Sequence, residues 1–394
     1  SAWKKLYEGT PARLDRMAGV GRVVTAFNAN IDAVLKVRGE RLTALAAEVG
    51  LGADAPEAEG ERRIRTPKDV VRGLVRCFAR GIAEEWLVDD ELTYAWMRAA
   101  LGYDRLQMGG QGGIVANAMA VCGVQQVLAH CASLPSDQAS LFLDLPNLVS
   151  TDEHGGLRRA RTIDRPDPPM IHWILEFDHG DSMVLGDRTV TCPKSNRFIA
   201  TYDPLNFRLH VDAGFAAAAA ALRNDVVILS GYHMLSEHMP DGTLAAERIA
   251  TSFEVVKAWK ARNPDCLVHL EVASTQDLAV RRAVVDRIAR SCDSIGVNER
   301  ELIDLLVAIG RVDLAERCEH KTDSANLLDG LEVVFHEIGC PRVQLHMFGL
   351  YVTMQRPGFR VTPLANRRGM QLAAVVAAGK AGTGAIERRE ALLW

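Results

Sequence analysis

Residues 225–230, DVVILS, and 267–272, LVHLEV, are short apolar runs, and between them LAAERIATSFEVVKAWKAR (244–262) carries apolar residues at helical spacing. Strand, helix, strand in that rhythm predicts a βαβ unit, since parallel strands need a long crossover. The pattern extends both ways. RVVTAF (22–27), DSIGV (293–297) and RVQLHMF (342–348) read as further buried strands, and 275–292 and 299–310 as further helices. No repeat of fixed period interrupts it.

Two stretches break the rhythm. Residues 34–106 begin as an extension of the first strand, pass through the polar GADAPEAEGERRIRT (52–66) and become helical. Residues 150–210 hold MIHWILEF (170–177), DSMVLG (181–186) and RFIATYD (197–203), short strands that suit an antiparallel sheet. The fold class expected is α/β: a mostly parallel core of residues 1–33, 107–149 and 211–394, with a small β-rich domain built from insertions 34–106 and 150–210. Ligands in such sheets sit at the carboxyl ends of the strands, here beneath the insert.

The 394 residues are 48% hydrophobic and 24% charged, with a net charge of −4. That balance gives no basic face for nucleic acid or an anionic membrane surface. The eight cysteines form no C-x-x-C pair, which argues against a zinc site or a disulfide framework and for a reducing compartment. The stretch SAWKKLYEGTPARL lacks the apolar core of a signal peptide, and FAAAAAAL (215–222) is too short to span a bilayer, so a cytoplasmic protein is expected.

Polar residues gather where the strands end. FNANIDAV puts Asn28, Asn30 and Asp32 at alternate positions; a turn would also favour Asn and Asp, but needs no such alternation. Gly109, Gly110, Gly112 and Gly113 open an apolar helix, with Gln111 among them to bond a polyol; the plainer reading is a flexible loop. Glu271 ends an apolar strand beside His269, where a carboxylate is costly unless paired. Asn298 and Glu301 have the spacing of a capping box, or with Glu271 could hold a hydrated Mg²⁺. Lys194 and Arg197, otherwise a solvated basic face, offer cations to a phosphate. His172, His233 and His346 lie in or beside apolar runs, and taken singly each reads as a hydrogen-bonded core histidine.

In succession these segments resemble the ADP-dependent sugar kinases, the archaeal-type glucokinases and phosphofructokinases of the ribokinase-like superfamily. The matching stretches run in order from FNANIDAV through GGQGGIVANAMAVCG, IHWILEF, CPKSNRFI, LSGYHML, HLEVAS and DSIGVNERELIDLL to VQLHMFGLYV. The resemblance implies a ribokinase-like three-layer core with a small β-rich lid, and phosphorylation of glucose or fructose 6-phosphate by ADP, yielding AMP. It implies sugar contacts at Asn30, Asp32, Gly110, Gln111 and His172, with Glu85 as a further glucose contact that neighbouring Glu84 could replace. Glu271 and Glu301 match motifs associated with Mg²⁺, Asn298 with phosphate, and Arg197 an arginine that reaches the donor phosphates. Lys194 and His346 are placed with the donor.

The family's GxGD, whose Asp is the base, has its nearest counterpart at Gly382-Thr383-Gly384-Ala385. No catalytic residue is therefore assigned. Either this is a degenerate anion hole, or it is a chance match on the terminal helix or its tail, which is the expectation here. An alternative to the kinase is a kinase-like chain that binds sugar or nucleotide, or partners another protein, without transferring phosphate.

Overall fold

The computed structural model describes residues 4–5, 8–54, 62–239, 241–275, 277–384 and 386–393; Ala385 and residues 55–61 of the polar stretch lie outside these. The strands, in chain order, are Arg22–Ala26 (β1), Asn30–Lys36 (β2), Arg63–Ile64 (β3), Glu84–Val88 (β4), Arg105–Gly109 (β5), Gln126–Ala129 (β6), Leu148–Thr151 (β7) and Leu157–Arg159 (β8). There follow Ile171–Phe177 (β9), Ser182–Leu185 (β10), Arg188–Thr191 (β11), Asn196–Thr201 (β12), Val226–Leu229 (β13), Leu267–Glu271 (β14), Ser294–Val297 (β15), Arg342–Met347 (β16) and Leu350–Gln355 (β17).

They fall into two compact units, Ser1–Ala29, Gly110–Asp167 and Leu205–Trp394 forming one, and Asn30–Gly109 with Pro168–Pro204 the other. The second insertion thus spans 168–204 rather than 150–210. The reason is that β7 and β8 pair onto the large sheet, and β8, reading Leu-Arg-Arg, is exposed and carries no apolar alternation. The first insertion begins at Asn30 because the chain leaves β1 and re-enters as β2 of the smaller sheet, not as an extension of the first strand.

The larger unit holds a nine-stranded sheet in the order β17-β16-β15-β14-β13-β1-β6-β7-β8. Only the edge strands β17 and β8 run antiparallel to their neighbours. Central strands keep apolar side chains fully buried, among them Val227, Leu229, Val268, Leu270, Ile295 and Val343. The helix Ala245–Lys260 lays Ile249, Val256 and Trp259 against them, and Trp259 meets Phe27 and Phe215 at ring distances of 5.8 and 5.6 Å. Fully buried aromatics of this size dominate core energetics.

The smaller unit has a six-stranded sheet, β3-β4-β12-β9-β2-β5, and a separate β10–β11 hairpin. The expected antiparallel sheet is in fact mixed. β9 runs antiparallel to β12 but parallel to β2, and β12 parallel to β4. Strands from the first insertion arrive through helices, and a helical crossover permits parallel pairing. One such helix, Pro67–Arg80, starts at a Thr66–Asp69 capping box and stops at Gly81, whose φ of 64° favours glycine. It buries Val70, Val71, Leu74, Val75 and Phe78, so one sheet face is covered, while alternate residues project from the other.

Gly382 and Thr383 are the last residues of the helix Pro363–Thr383, and Gly384 caps it with φ 79° and its N–H on the Lys380 carbonyl. Anion holes use the N–H groups of a helix start; this is the opposite pole, rich in carbonyls. The match to the phosphate loop is therefore one of letters.

Candidate functional site

Strand pairing lines up polar residues on the face of the smaller sheet opposite the helix Pro67–Arg80. Gln107 on β5 pairs with Asp32 on β2, Asp32 with His172 on β9, and His172 with Thr201 on β12. Paired residues share a face, so the four form one row, and Glu85 on β4, aligned with Ile199, falls beside it. The Asn30 amide donates to Asp32 Oδ1 at 2.8 Å. Gly109 permits this arrangement, because a Cβ there would lie 2.2 Å from Asp32 Oδ1.

His172 Nε2 lies 2.9 Å from Oδ2 of Asp203, which is fully buried. Burial alone would lower the imidazole pKa, but the hydrogen bond and charge of Asp203, with Asp32 and Glu85, hold it above its ordinary value. The Asp32 pKa is raised, chiefly by burial, against the pull of His172. Glu85 Oε1 accepts from the Thr201 hydroxyl at 2.6 Å. Glu84 points the other way, to Arg76 Nε at 3.2 Å and Trp86 Nε1 at 2.9 Å, so Glu85 is the glutamate that shares the face of Asp32. Asp203, Thr201 and Gln107 were not singled out by the sequence. A carboxylate two residues past RFIAT was the available signal for Asp203.

Arg197 projects from the same face of β12 as Thr201, two alternations away, and its exposed side chain makes no ion pair among the described residues. Lys194 is exposed in the turn before β12, against the bend at Gly81.

In the larger unit, Asn28 stands apart from Asn30 and Asp32, so the three do not share one strand face. Gly110, at φ 75°, begins the helix Gln111–Cys122, where a Cβ would meet the Asn28 carbonyl at 2.7 Å. Gln111 Oε1 is buried without a hydrogen-bond donor. An orphaned acceptor beside a helix start suits a ligand hydroxyl.

At the carboxyl end of β14, Glu271 lies between two imidazoles. Its Oε2 is 3.1 Å from His269 Nε2 and its Oε1 3.1 Å from His346 Nε2. A Cβ on Gly296 would stand 2.2 Å from Glu271 Oε2, so only glycine lets the carboxylate cross β15. Burial opposes ionisation of Glu271, yet the two histidine hydrogen bonds and charges prevail and bring its pKa down to about 2. The pKa of His346 is raised in return, first by its hydrogen bond to Glu271. His346 is thus partnered rather than a plain core histidine.

Asn298 and Glu301 do form a capping box, with Glu301 Oε2 accepting from the Asn298 N–H at 2.8 Å and Asn298 Oδ1 from the Glu301 N–H at 2.9 Å. Glu301 is also buried, and its pKa is pushed up to about 7 by burial first, with Glu271 adding repulsion. Glu271 and Glu301 are the carboxylates that this end of the strands could offer a divalent cation. Among the described residues no three His, Cys, Asp or Glu side chains are grouped to hold a metal, and two carboxylates are the count here. That number suits Mg²⁺, which keeps most of its waters.

A family model described as the ADP-specific phosphofructokinase/glucokinase conserved region matches residues 21–393. The ADP-dependent glucose/glucosamine kinase of Pyrococcus abyssi is 32% identical over 99% of this chain and 84% of its own length. The ADP-specific phosphofructokinase of Methanosarcina acetivorans is 28% identical over 92% of this chain and 76% of its own. Among solved structures, the last common ancestor of ADP-dependent phosphofructokinases from Methanosarcinales superposes with a TM-score of 0.86 at 28% identity, over 100% of this chain and 83% of that one. An ADP-dependent kinase in complex with fructose-6-phosphate and ADPβS does so at 0.79 and 26% identity, over 100% and 82%.

The mostly parallel α/β sheet of the larger unit is an architecture that these ADP-dependent sugar kinases share. The chain belongs to the ADP-specific phosphofructokinase/glucokinase family.

Proposed function

We propose that this chain transfers a phosphoryl group from ADP to a hexose hydroxyl and releases AMP. The observation that carries this is the row Gln107–Asp32–His172–Thr201, with Glu85 beside it on the sheet face opposite the helix Pro67–Arg80. Carboxylates and an imidazole at fixed spacing hydrogen-bond the several hydroxyls of a sugar. Asn30 orients Asp32, and Gln111 offers its unpartnered oxygen to a hydroxyl. Arg197, with Lys194, would meet the donor phosphates, where a guanidinium's planar fork matches two oxygens. His346 and Asn298 lie with Glu271 and Glu301 at the donor end. Glu271 and Glu301 would hold Mg²⁺, which when bound neutralises charge on the transferring group.

Asp32, Glu85 and Asp203 make the sugar face predominantly anionic, which favours a neutral hexose such as glucose over a sugar phosphate. Glu85→Ala should lower kcat/KM for glucose about 10- to 100-fold, the scale of a hydrogen bond to a charged group. Glu84→Ala should leave kcat/KM nearly unchanged. Equal losses from the two variants would dismiss Glu85 as the sugar contact.

The direct test is AMP release from ADP and Mg²⁺ with glucose or fructose 6-phosphate. A rate equal to the enzyme-free control, with ADP still raising the Tm, would replace the kinase by a protein that binds without transfer. Gly382–Gly384 supplies no base to either reading, since it closes a helix. The rise in Tm with ADP should shrink in Arg197→Ala; an unchanged rise would remove Arg197 from the phosphate site.

A further inference from the structure

A cavity of about 280 Å³ lies between the sheet and the helix Pro363–Thr383, beside β14–β16. Its floor is polar. Arg342, at the start of β16, donates through Nη1 to Ser294 Oγ at 2.6 Å, through Nη2 to Asn366 Oδ1 at 2.8 Å, and through Nη2 to Gln344 Oε1. All three partners are neutral, and no carboxylate lines the cavity. The direct partners of this guanidinium are neutral dipoles and its nearest counter-charge is Glu271, beyond His269, so an anion in the cavity would give it a direct one.

The donors that face the opening are few and specific. Arg342 Nη1 has a second N–H beyond the one given to Ser294, and the Gln344 amide nitrogen stands beside the guanidinium through their shared hydrogen bond. Two adjacent donors match the two oxygens of a carboxylate. The walls above are apolar, formed by Val226, Leu267, Val361 and Met370. The volume lies just under that of pockets for drug-sized molecules, which limits the guest to a few carbons.

We propose that this cavity binds a small aliphatic carboxylate, its two oxygens on Arg342 and Gln344 and its apolar body against Val361 and Met370. His269 borders the cavity and also holds Glu271, so the site adjoins that cluster without including its carboxylates.

The test uses the whole chain and three probes at constant ionic strength: butyrate, butyramide and inorganic phosphate. Butyrate should raise the Tm saturably, with butyramide about tenfold weaker, the value of one charge-assisted hydrogen bond. Phosphate should bind more weakly than butyrate. Arg342→Gln should abolish the butyrate effect. Because Arg342 also ties Ser294 to Asn366, a second variant works from the helix side. Gly369→Leu places its side chain where a Cβ meets nothing within 4 Å, improves helix propensity and closes the mouth with Arg342 intact. It should fold and lose butyrate binding. Butyrate stabilisation equal to that of chloride, or surviving Gly369→Leu, overturns the site; phosphate binding tighter than butyrate overturns the ligand class.

Discussion

Glu271→Gln should cut AMP release by about 10²-fold or more, the scale of removing one preorganised electrostatic contact from a transfer site. The substitution keeps the size of the side chain and its place over Gly296, but removes the charge that holds His269 and His346. It should also change the response to acid. The Glu271 pKa falls from 4.5 to about 2 on folding, so its stabilisation is present above pH 4.5 and drains away as pH drops towards 2. That shift is worth about 3 kcal/mol, and the raised His346 pKa is the same interaction viewed from its partner, not an addition. Urea unfolding at pH 3, 5 and 7 should show wild type weakening from pH 5 to 3 and the variant nearly level. A variant with the wild-type acid slope would break the assignment of the carboxylate to the two imidazoles. Wild-type Mg²⁺ dependence in the variant would remove Glu271 from the metal.

Asp203→Ala should destabilise the fold by about 1–3 kcal/mol, because it leaves the buried His172 Nε2 without its partner. Asp203→Asn is the milder probe, since it keeps an oxygen near Nε2 without the charge. His172 gains protons on folding, so its contribution is full below pH 6.5 and is lost as pH rises through its raised native pKa. Wild type should therefore lose stability across that interval, and Asp203→Asn should lose less. An NMR titration of His172 gives an independent reading: its pKa should fall in Asp203→Asn. If the His172 pKa stays put, the neighbour that raises it is not Asp203.

How much of this was legible follows from which signals are local. The parallel core was readable because its strands are apolar runs of four to six residues separated by helices of ordinary length. β9 and β12 were equally plain. β4 and β5 were not, since EEWLV and RLQMG mix charge with apolar residues. The pairing that sets Asp32 against His172 joins residues 140 positions apart, and no local pattern encodes it. Asp203 went unassigned for the same reason: past the end of β12, its meaning depends on a histidine in another strand. Glu301 was visible as a cap, while its proximity to Glu271 arises only when β14 and β15 pair. Arg342 opened a strand and gave no sign that its partners would all be neutral.

The opposed glutamates of β4 have an evolutionary corollary. Losing or gaining one residue in the bend at Gly81–Ala83 would rotate the strand by one position and send Glu84 to the face that Glu85 now occupies. The charge on that face would survive the slip, and the toll would fall on the covered side, where Arg76 would lose its acceptor and Trp86 and Val88 would turn out of the core. Two identical letters in a row thus act as a spare. They leave lineages free to vary the length of that bend at a cost in firmness rather than in chemistry, and the record of such changes should be sought in the contacts of Arg76.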